Sequence, residues 1–273
     1  MHLARKRFGQ NFLKDDGIIY AIIKIINPSA DAQIIEVGPG LGALTLPLLN
    51  QVDHLDLLEI DRDLVAYWRA KNIPGIEIIE GDALKFDFVN WATSSKKMLT
   101  QGGRRLIVGN LPYNISSPLL FHLLSAAPFI DEQVFMLQAE VVSRMVAVDG
   151  SADFSRLSVM LQARYHLEQV LEVPPTAFEP QPKVNSAVVR MIPRQQFSLN
   201  TDEWRALEKI VAAAFSQRRK MLRTNLQGYG ERLALSEAEL KLRAQDIPVT
   251  RYIEWACHLA QSQSLEPLEG GSL

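Results

Sequence analysis

Cysteine is almost absent from this 273-residue chain, Cys257 being the only one. A lone thiol rules out an internal disulfide framework and suits a reducing compartment. Long apolar runs are missing too, none approaching the ~18–20 residues that a bilayer-spanning helix needs. The opening Met1-His2-Leu3-Ala4-Arg5-Lys6-Arg7-Phe8 is basic, yet it runs into Gly9-Gln10-Asn11 without the apolar middle of a secretory signal. A cytoplasmic protein with no membrane partner is therefore expected. The histidines (His2, His54, His122, His166 and His258) are scattered and fall into no ligand pattern with cysteine or carboxylates, so no metal is expected. There is no internal repeat, and no low-complexity block beyond a short tail. Net charge is slight, −2, which argues against a protein that holds nucleic acid through its overall charge.

What is present is ordinary in bulk, 47% hydrophobic and 22% charged, as in a globular protein. The length allows one substantial α/β domain plus a smaller one, since single cores stop growing near ~250–300 residues. Charge is unevenly spread along the chain. Residues 1–14 carry Arg5, Lys6, Arg7 and Lys14 with no acid, and residues 218–223 carry Arg218, Arg219, Lys220 and Arg223 with none, whereas the stretch after residue 230 is rich in acids. Two basic islands on an acidic background are either a local phosphate footprint or solvated faces. Charge alone does not choose between them.

The first two-thirds alternate strand-like runs with helical patterns, the mark of an α/β fold. Strands are expected at 34–38, 54–60, 76–79, 105–109, 134–138, 166–173 and 187–192, with helices from 44 to 49 and 61 to 71. Residues 93–103 have the composition of a loose exposed segment. A proline-rich stretch, Pro174-Pro175 through Phe178, Pro180, Pro182 and Lys183, fixes an extended loop. After Pro193 the pattern is helical only. Asn200 with Glu203 can cap a helix whose apolar face is Trp204, Leu207, Ile210, Val211 and Phe215; Ser236 with Glu239 repeats the arrangement, and Thr250 opens a last helix. Residues 1–195 and 196–273 are the expected domains.

Glu36-Val37-Gly38-Pro39-Gly40-Leu41-Gly42-Ala43 follows the first strand, and glycines there let the backbone turn sharply against a cofactor. Twenty-one residues beyond Gly38, Glu59 ends the second strand, where a carboxylate can accept ribose hydroxyls. On this motif alone NAD and S-adenosylmethionine fit equally, because Gly38-x-Gly40-x-x-Ala43 also satisfies the relaxed dinucleotide fingerprint. Two further features separate them. Asp82 follows the third strand, placed either to meet a cofactor adenine or to cap a helix. Asn110-Leu111-Pro112-Tyr113 follows the fourth. There the Asn110 carbonyl and a neighbouring backbone carbonyl can accept both N–H bonds of an adenine amino group, Pro112 stiffens the turn, and Tyr113 offers a stacking face worth roughly 1–3 kcal/mol. Hydride transfer has no use for that set, and no hydride-handling constellation is visible.

These stretches, with Arg5 to Leu13, Phe178-Glu179-Pro180-Gln181-Pro182-Lys183-Val184 and Phe215 to Lys220, resemble the small-subunit rRNA adenine N6,N6-dimethyltransferase family over essentially the whole chain. The wider family includes erythromycin-resistance 23S rRNA methylases and mitochondrial transcription factor B proteins. The resemblance implies a Rossmann-like seven-stranded methyltransferase sheet with a small all-helical C-terminal domain. It implies S-adenosylmethionine bound by Gly38, Gly40, Glu59, Asp82 and Asn110, with Asn11 and Leu13 folding over it. Tyr113 and Phe178 would sandwich a flipped adenine held at Asn110, Leu111 and Pro112. Arg5, Lys6, Arg7, Arg218, Arg219 and Lys220 would grip RNA. The implied substrate is a pair of adjacent adenosines in a hairpin loop near the 3′ end of 16S rRNA, within a maturing small subunit, and the implied state is a monomer. A binding factor with the same fold but no turnover is the competing expectation, and the intact Asn110–Tyr113 segment weighs against it. One departure stands out, because Phe154-Ser155-Arg156-Leu157-Ser158 replaces the family's usual Tyr-Gly-Arg-Leu-Ser.

Overall fold

A computed structural model describes residues 11–94, 103–195 and 199–264. The chain divides into two compact units, the first formed by the described residues up to Ser143 with His166–Pro193, the second by Arg144–Tyr165 with the described residues from Arg194 onward. The division expected near residue 195 is joined by a second one around residues 144–165. The cause is local: Leu157, Val159, Met160 and Leu161 are all buried, and their helix packs against the C-terminal helices. No shift in composition marks that excursion. Among the described residues no helix is long and apolar enough to cross a membrane.

In the first unit, β1 (Phe12–Leu13) and α1 (Asp16–Ile26) precede a series of strand–helix repeats. These are β2 (Gln33–Val37), α2 (Thr45–Leu49), β3 (Leu55–Glu59), α3 (Arg62–Lys71), β4 (Ile76–Glu80), α4 (Phe88–Thr93), β5 (Arg105–Asn110), α5 (Ser116–His122), β6 (Glu132–Gln138) and α6 (Ala139–Val146). After α7 (Arg156–Arg164), β7 (Tyr165–Val173), β8 (Phe178–Glu179) and β9 (Ser186–Pro193) complete the set. The seven-stranded sheet runs β4-β3-β2-β5-β6-β9-β7. Neighbours from β4 to β6 are parallel and β9 is antiparallel to β6. Every residue of β2 and β3 is buried, so they are mostly Ile, Val and Leu, and the carboxylates of Glu36, Asp56 and Glu59 are hydrogen-bonded where they are buried. Edge strand β4 instead carries the exposed Glu77 and Glu80, charges that discourage further pairing.

Strand order reverses between β2 and β5, so the loops leaving their carboxyl ends splay apart and open a crevice at that switch point. At the start of β6, Glu132 is 3% exposed and is held by Arg104 (Nη1 to Oε2, 2.9 Å) and Arg190 (Nε to Oε1, 2.6 Å), so a buried carboxylate is paired twice.

The second unit is built on α7, α8 (Thr201–Ala214), α9 (Leu222–Asn225) and α10 (Val249–Ser264). Its core carries aromatic rings: Phe154 lies 6.4 Å from Phe215, Phe215 stacks 6.0 Å from Tyr252, and Tyr252 meets Trp255 edge-on at 5.2 Å. Asn200 caps α8, accepting from the backbone N–H groups of Asp202 and Glu203 while Glu203 bonds back. Ser236 and Glu239 do form their expected bonds, but only one 3₁₀ turn, Glu239–Lys241, follows rather than a helix. Glu239 is anchored instead by Arg251 (2.5 Å), whose guanidinium pulls its carboxyl down to about 2. The Phe154-Ser155 departure is absorbed locally. Phe154 is fully buried, and extended Ser155 (φ −151°) takes the N-cap of α7 with its N–H donating to Ser158 Oγ at 2.9 Å.

Candidate active site

Strand ends converge on one cleft of about 980 Å³ in the first unit, at the upper end of the size that small-molecule sites take. Asn11, Leu13, Gly38, Gly40, Glu59, Asp82, Asn110, Leu111, Pro112 and Tyr113 all line it. Residues drawn from five separate stretches of sequence therefore share one wall, because each lies at or just beyond the carboxyl end of a parallel strand, or on β1 folded across them.

Gly38 turns out of β2 at φ +69°, a conformation that residues with a Cβ seldom adopt, and its N–H donates to Leu58 O. Gly42 (φ +99°) has Trp68 where its Cβ would be, at 2.7 Å. Trp68, from α3, also donates its indole N–H to Gly40 O at 2.9 Å. The buried ring thus clamps the turn from behind. Sequence inspection missed this role, since a Trp on an amphipathic helix carries no signal beyond core packing.

Glu59 is 5% exposed and its Oε1 accepts from the N–H groups of Ile60 and Asp61, both at 2.9 Å. Burial pushes its carboxyl up, and the backbone N–H groups of Asp61, Gly40 and Ile60 pull the other way. Glu36, one strand over, is buried against Thr45, whose hydroxyl donates to Oε2 at 2.6 Å. Burial chiefly, with the charge of Glu59, pushes Glu36 up to about 7. Asp82 accepts from Leu84 N–H at 2.9 Å, so one carboxylate oxygen secures a turn while the residue lines the cleft. A turn rather than a helix follows it directly, and α4 begins only at Phe88.

At the end of β5 the Asn110 side-chain nitrogen donates to the Asn11 carbonyl at 3.2 Å. That engages the donor end of the amide and leaves its oxygen as the acceptor. Pro112 O is taken by Ile115 N–H (3.1 Å) and Ser116 Oγ (3.0 Å), closing a tight turn. Tyr113 is half-buried, with its hydroxyl 2.8 Å from Ser186 Oγ, and burial pushes the phenol up.

Phe178 is placed differently from the expectation. Its ring is 1% exposed, belongs to the core with Leu13, Val173 and Ala177, and does not line the cleft, although the following Glu179 and Pro180 do. The β1–β8 ladder, which pairs Leu13 with Phe178 and Phe12 with Glu179, turns that ring inward. Arg5, Lys6 and Arg7 lie outside the described residues. Arg218, Arg219 and Lys220 are exposed in the second unit, in a turn after α8, and Arg218 donates to the Ala152 carbonyl.

Far from the cleft, where β3 and β4 begin, the fold unites His54, Asp56 and Glu77, with ligand atoms within 4.8 Å, a grouping that linear spacing did not show. Asp56 is already engaged there by His54 Nε2 (2.9 Å) and Trp91 Nε1 (2.7 Å).

The cleft's charge discriminates between the cofactors considered from the sequence. Asp16, Glu36, Glu59, Asp82 and Glu179 line it, and among the described residues its one cation is Lys14, paired with Glu179 at 3.0 Å. Such a wall suits a cationic sulfonium and opposes a dinucleotide pyrophosphate. The residues present fit S-adenosylmethionine.

Residues 1–257 match the ribosomal RNA adenine dimethylase family. Proteins named ribosomal RNA small subunit methyltransferase A are similar across their length. The one from Bordetella petrii is 48% identical over 264 residues, covering 96% of this chain and 97% of that one. The one from Cupriavidus pinatubonensis is 50% identical over 272 residues, covering 96% and 95%. Among solved structures, a dimethyladenosine transferase from Plasmodium falciparum superposes with TM-score 0.75 at 22% identity, covering 92% of this chain and 98% of that one. The 23S rRNA methyltransferase ErmE gives 0.65 at 24% identity, covering 91% and 99%; both likenesses bear on the fold. On the family match and these full-length relatives, the chain belongs to the ribosomal RNA adenine dimethylase family, enzymes that move methyl groups from S-adenosylmethionine to adenine in ribosomal RNA.

Proposed function

We propose that this chain dimethylates N6 of two adjacent adenosines in a hairpin loop near the 3′ end of 16S rRNA, acting in the cytoplasm as a monomer on a maturing small subunit. The observation that carries the reading is the Asn110 amide, anchored by its nitrogen and lining the same cleft as Tyr113 and Glu59. Support for the small-subunit substrate comes from the full-length relatives named for it.

S-adenosylmethionine supplies an electrophilic methyl on a sulfonium. Every other task falls to the chain. Gly38, Gly40, Glu59 and Asp82 hold the cofactor, with Asn11 and Leu13 across it. The adenine N6 lone pair is delocalised into the ring, so it must be turned out of conjugation before it attacks. Asn110 Oδ1 accepts one N–H of the amino group. Because Pro112 O is consumed by its own turn, Leu111 O is the neighbouring carbonyl that remains for the second. Tyr113 stacks on the flipped base, and the reaction is accelerated by holding nitrogen and methyl in line. Phe178 closes on the other face of the base only if segment 178–185 shifts, since its ring rests in the core.

Methyl transfer from tritiated cofactor to small subunits, followed by nucleoside mapping, tests this. Label is expected in N6,N6-dimethyladenosine at two neighbouring positions, and label in any other nucleoside would refute it.

Glu59→Ala is expected to weaken cofactor binding by about 1–3 kcal/mol, the scale of lost charge-assisted hydrogen bonds. The buried carboxylate at the end of β3 motivates this, and titration calorimetry on folded variant with unchanged affinity would remove Glu59 from the site.

Arg218, Arg219 and Lys220 are proposed to hold rRNA phosphates, on the strength of their exposure and of a run without acids. Phosphate contacts give affinity that salt screens. Replacing all three with Gln should raise the apparent KM for subunits and flatten its salt dependence, with thermal stability moving within about 0.5 kcal/mol. Superimposable filter-binding salt slopes for variant and wild type would mean that the grip lies elsewhere, with Arg5, Lys6 and Arg7 next in line.

A further inference from the structure

Ser186 opens β9, is 1% exposed, and is fixed in register opposite Gln138 of β6. Its hydroxyl lies 2.8 Å from the Tyr113 hydroxyl, across 73 residues of sequence. Tyr113 itself sits in the irregular turn that follows β5, outside any helix or strand. Such a ring, held only at its Cβ, swings about χ1 and χ2; a second anchor at the phenol oxygen fixes its plane. The anchor is rigid, because Ser186 belongs to β9, an interior strand between β6 and β7, and the preceding Asn185 carbonyl accepts from Ala139 N–H at 2.9 Å. Segment 178–186 is thereby tied at both ends, to β1 at Phe178–Glu179 and to the Tyr113 turn at Ser186.

We propose that Ser186 is a positioning residue for methyl transfer, its hydroxyl tethering Tyr113 so that the aromatic face stands ready for the target adenine. This rests on the reading of Tyr113 as the stacking residue. A phenol committed to this bond takes no part in proton transfer. Tyr113→Phe then loses more than a bystander hydroxyl would, because it cuts the tether and leaves Ser186 Oγ buried without its partner.

The test is a double-mutant cycle on the full chain with small subunits as substrate. Ser186→Ala and Tyr113→Phe are each expected to lower kcat about tenfold, the scale of one lost positioning hydrogen bond. Cofactor affinity by calorimetry should stay near wild type while the melting temperature falls only modestly, the cost of one unpaired hydroxyl, a split that general unfolding does not produce. The double variant should be no slower than the slower single, since both remove the same bond. Multiplying effects, or wild-type turnover in Ser186→Ala, would overturn the tether. Tyr113→Ala separates the two layers. If it retains wild-type turnover, the stacking reading itself fails; if it is inactive while Ser186→Ala is normal, only the tether fails. Should Ser186→Ala melt early, Tyr113→Phe with kcat unchanged overturns the tether on its own.

Discussion

Asn110→Ala is expected to lower methyl transfer by about 10²- to 10³-fold, the loss found when one preorganised transition-state hydrogen bond is removed. The geometry gives the reason. The Asn110 nitrogen is bound to the Asn11 carbonyl at 3.2 Å, so the amide is oriented before substrate arrives, and in the proposed reaction its oxygen would accept from the amino group without reorganising. Ala removes that acceptor and also unties β5 from the N-terminal segment, so a modest loss of cofactor affinity should accompany the fall in rate. Subunit affinity should not change, because the phosphate contacts proposed for Arg218, Arg219 and Lys220 lie elsewhere. Single-turnover transfer from tritiated cofactor, with calorimetry and filter binding alongside, separates these quantities. A variant within tenfold of wild type would show that the amide does not act on the reacting nitrogen.

Phe178→Ala is expected to cost about 3–5 kcal/mol of stability, the range for emptying a buried aromatic site. The ring is 1% exposed among Leu13, Val173 and Ala177, and its strand pairs with β1, so the cavity opens directly beneath the segment that carries Asn11. Denaturant unfolding measures the loss. Phe178→Leu distinguishes a core ring from a wall of the base site. Leu keeps most of the volume at a cost below about 1.5 kcal/mol but has no stacking face. If folded Phe178→Leu turns over at the wild-type rate, Phe178 serves the core alone; a large drop in rate would place the ring against the base during reaction.

All seven main strands lie within two residues of where their apolar runs suggested, and the reason is burial. Strands covered on both faces are dominated by Ile, Val and Leu, as in Ile34-Ile35 of β2, Leu57-Leu58 of β3 and Leu106-Ile107-Val108 of β5, and the carboxylates among them (Glu36, Asp56 and Glu59) are held by hydrogen bonds. The helices were less legible. Nothing in the periodicity assigned 16–26 or 156–164: α1 is crowded with isoleucine, which also suits a strand, and α7 buries the consecutive residues Leu157 to Leu161, so no polar face alternates with an apolar one. Ser236 with Glu239 has the sequence of a capped helix, yet the chain turns extended at Leu242 and forms a bridge between Arg243 and Met221.

The sequence by itself determined which strand-end residues line the cleft. Parallel strands deliver their carboxyl ends to one side, so the Gly38 turn, Glu59, Asp82 and Asn110–Tyr113 had to meet once the strands were recognised. Only tertiary structure decided what holds those residues in place. Trp68 behind the glycine turn, the Asn11 carbonyl on Asn110, Ser186 on Tyr113, and the burial of Phe178 all join positions far apart in the chain. Tertiary structure likewise gave residues 144–165 to the second unit. A strand's face follows from local alternation and a turn from local φ preferences, whereas a contact across 73 or 99 residues depends on how whole elements pack, which no short window of sequence encodes.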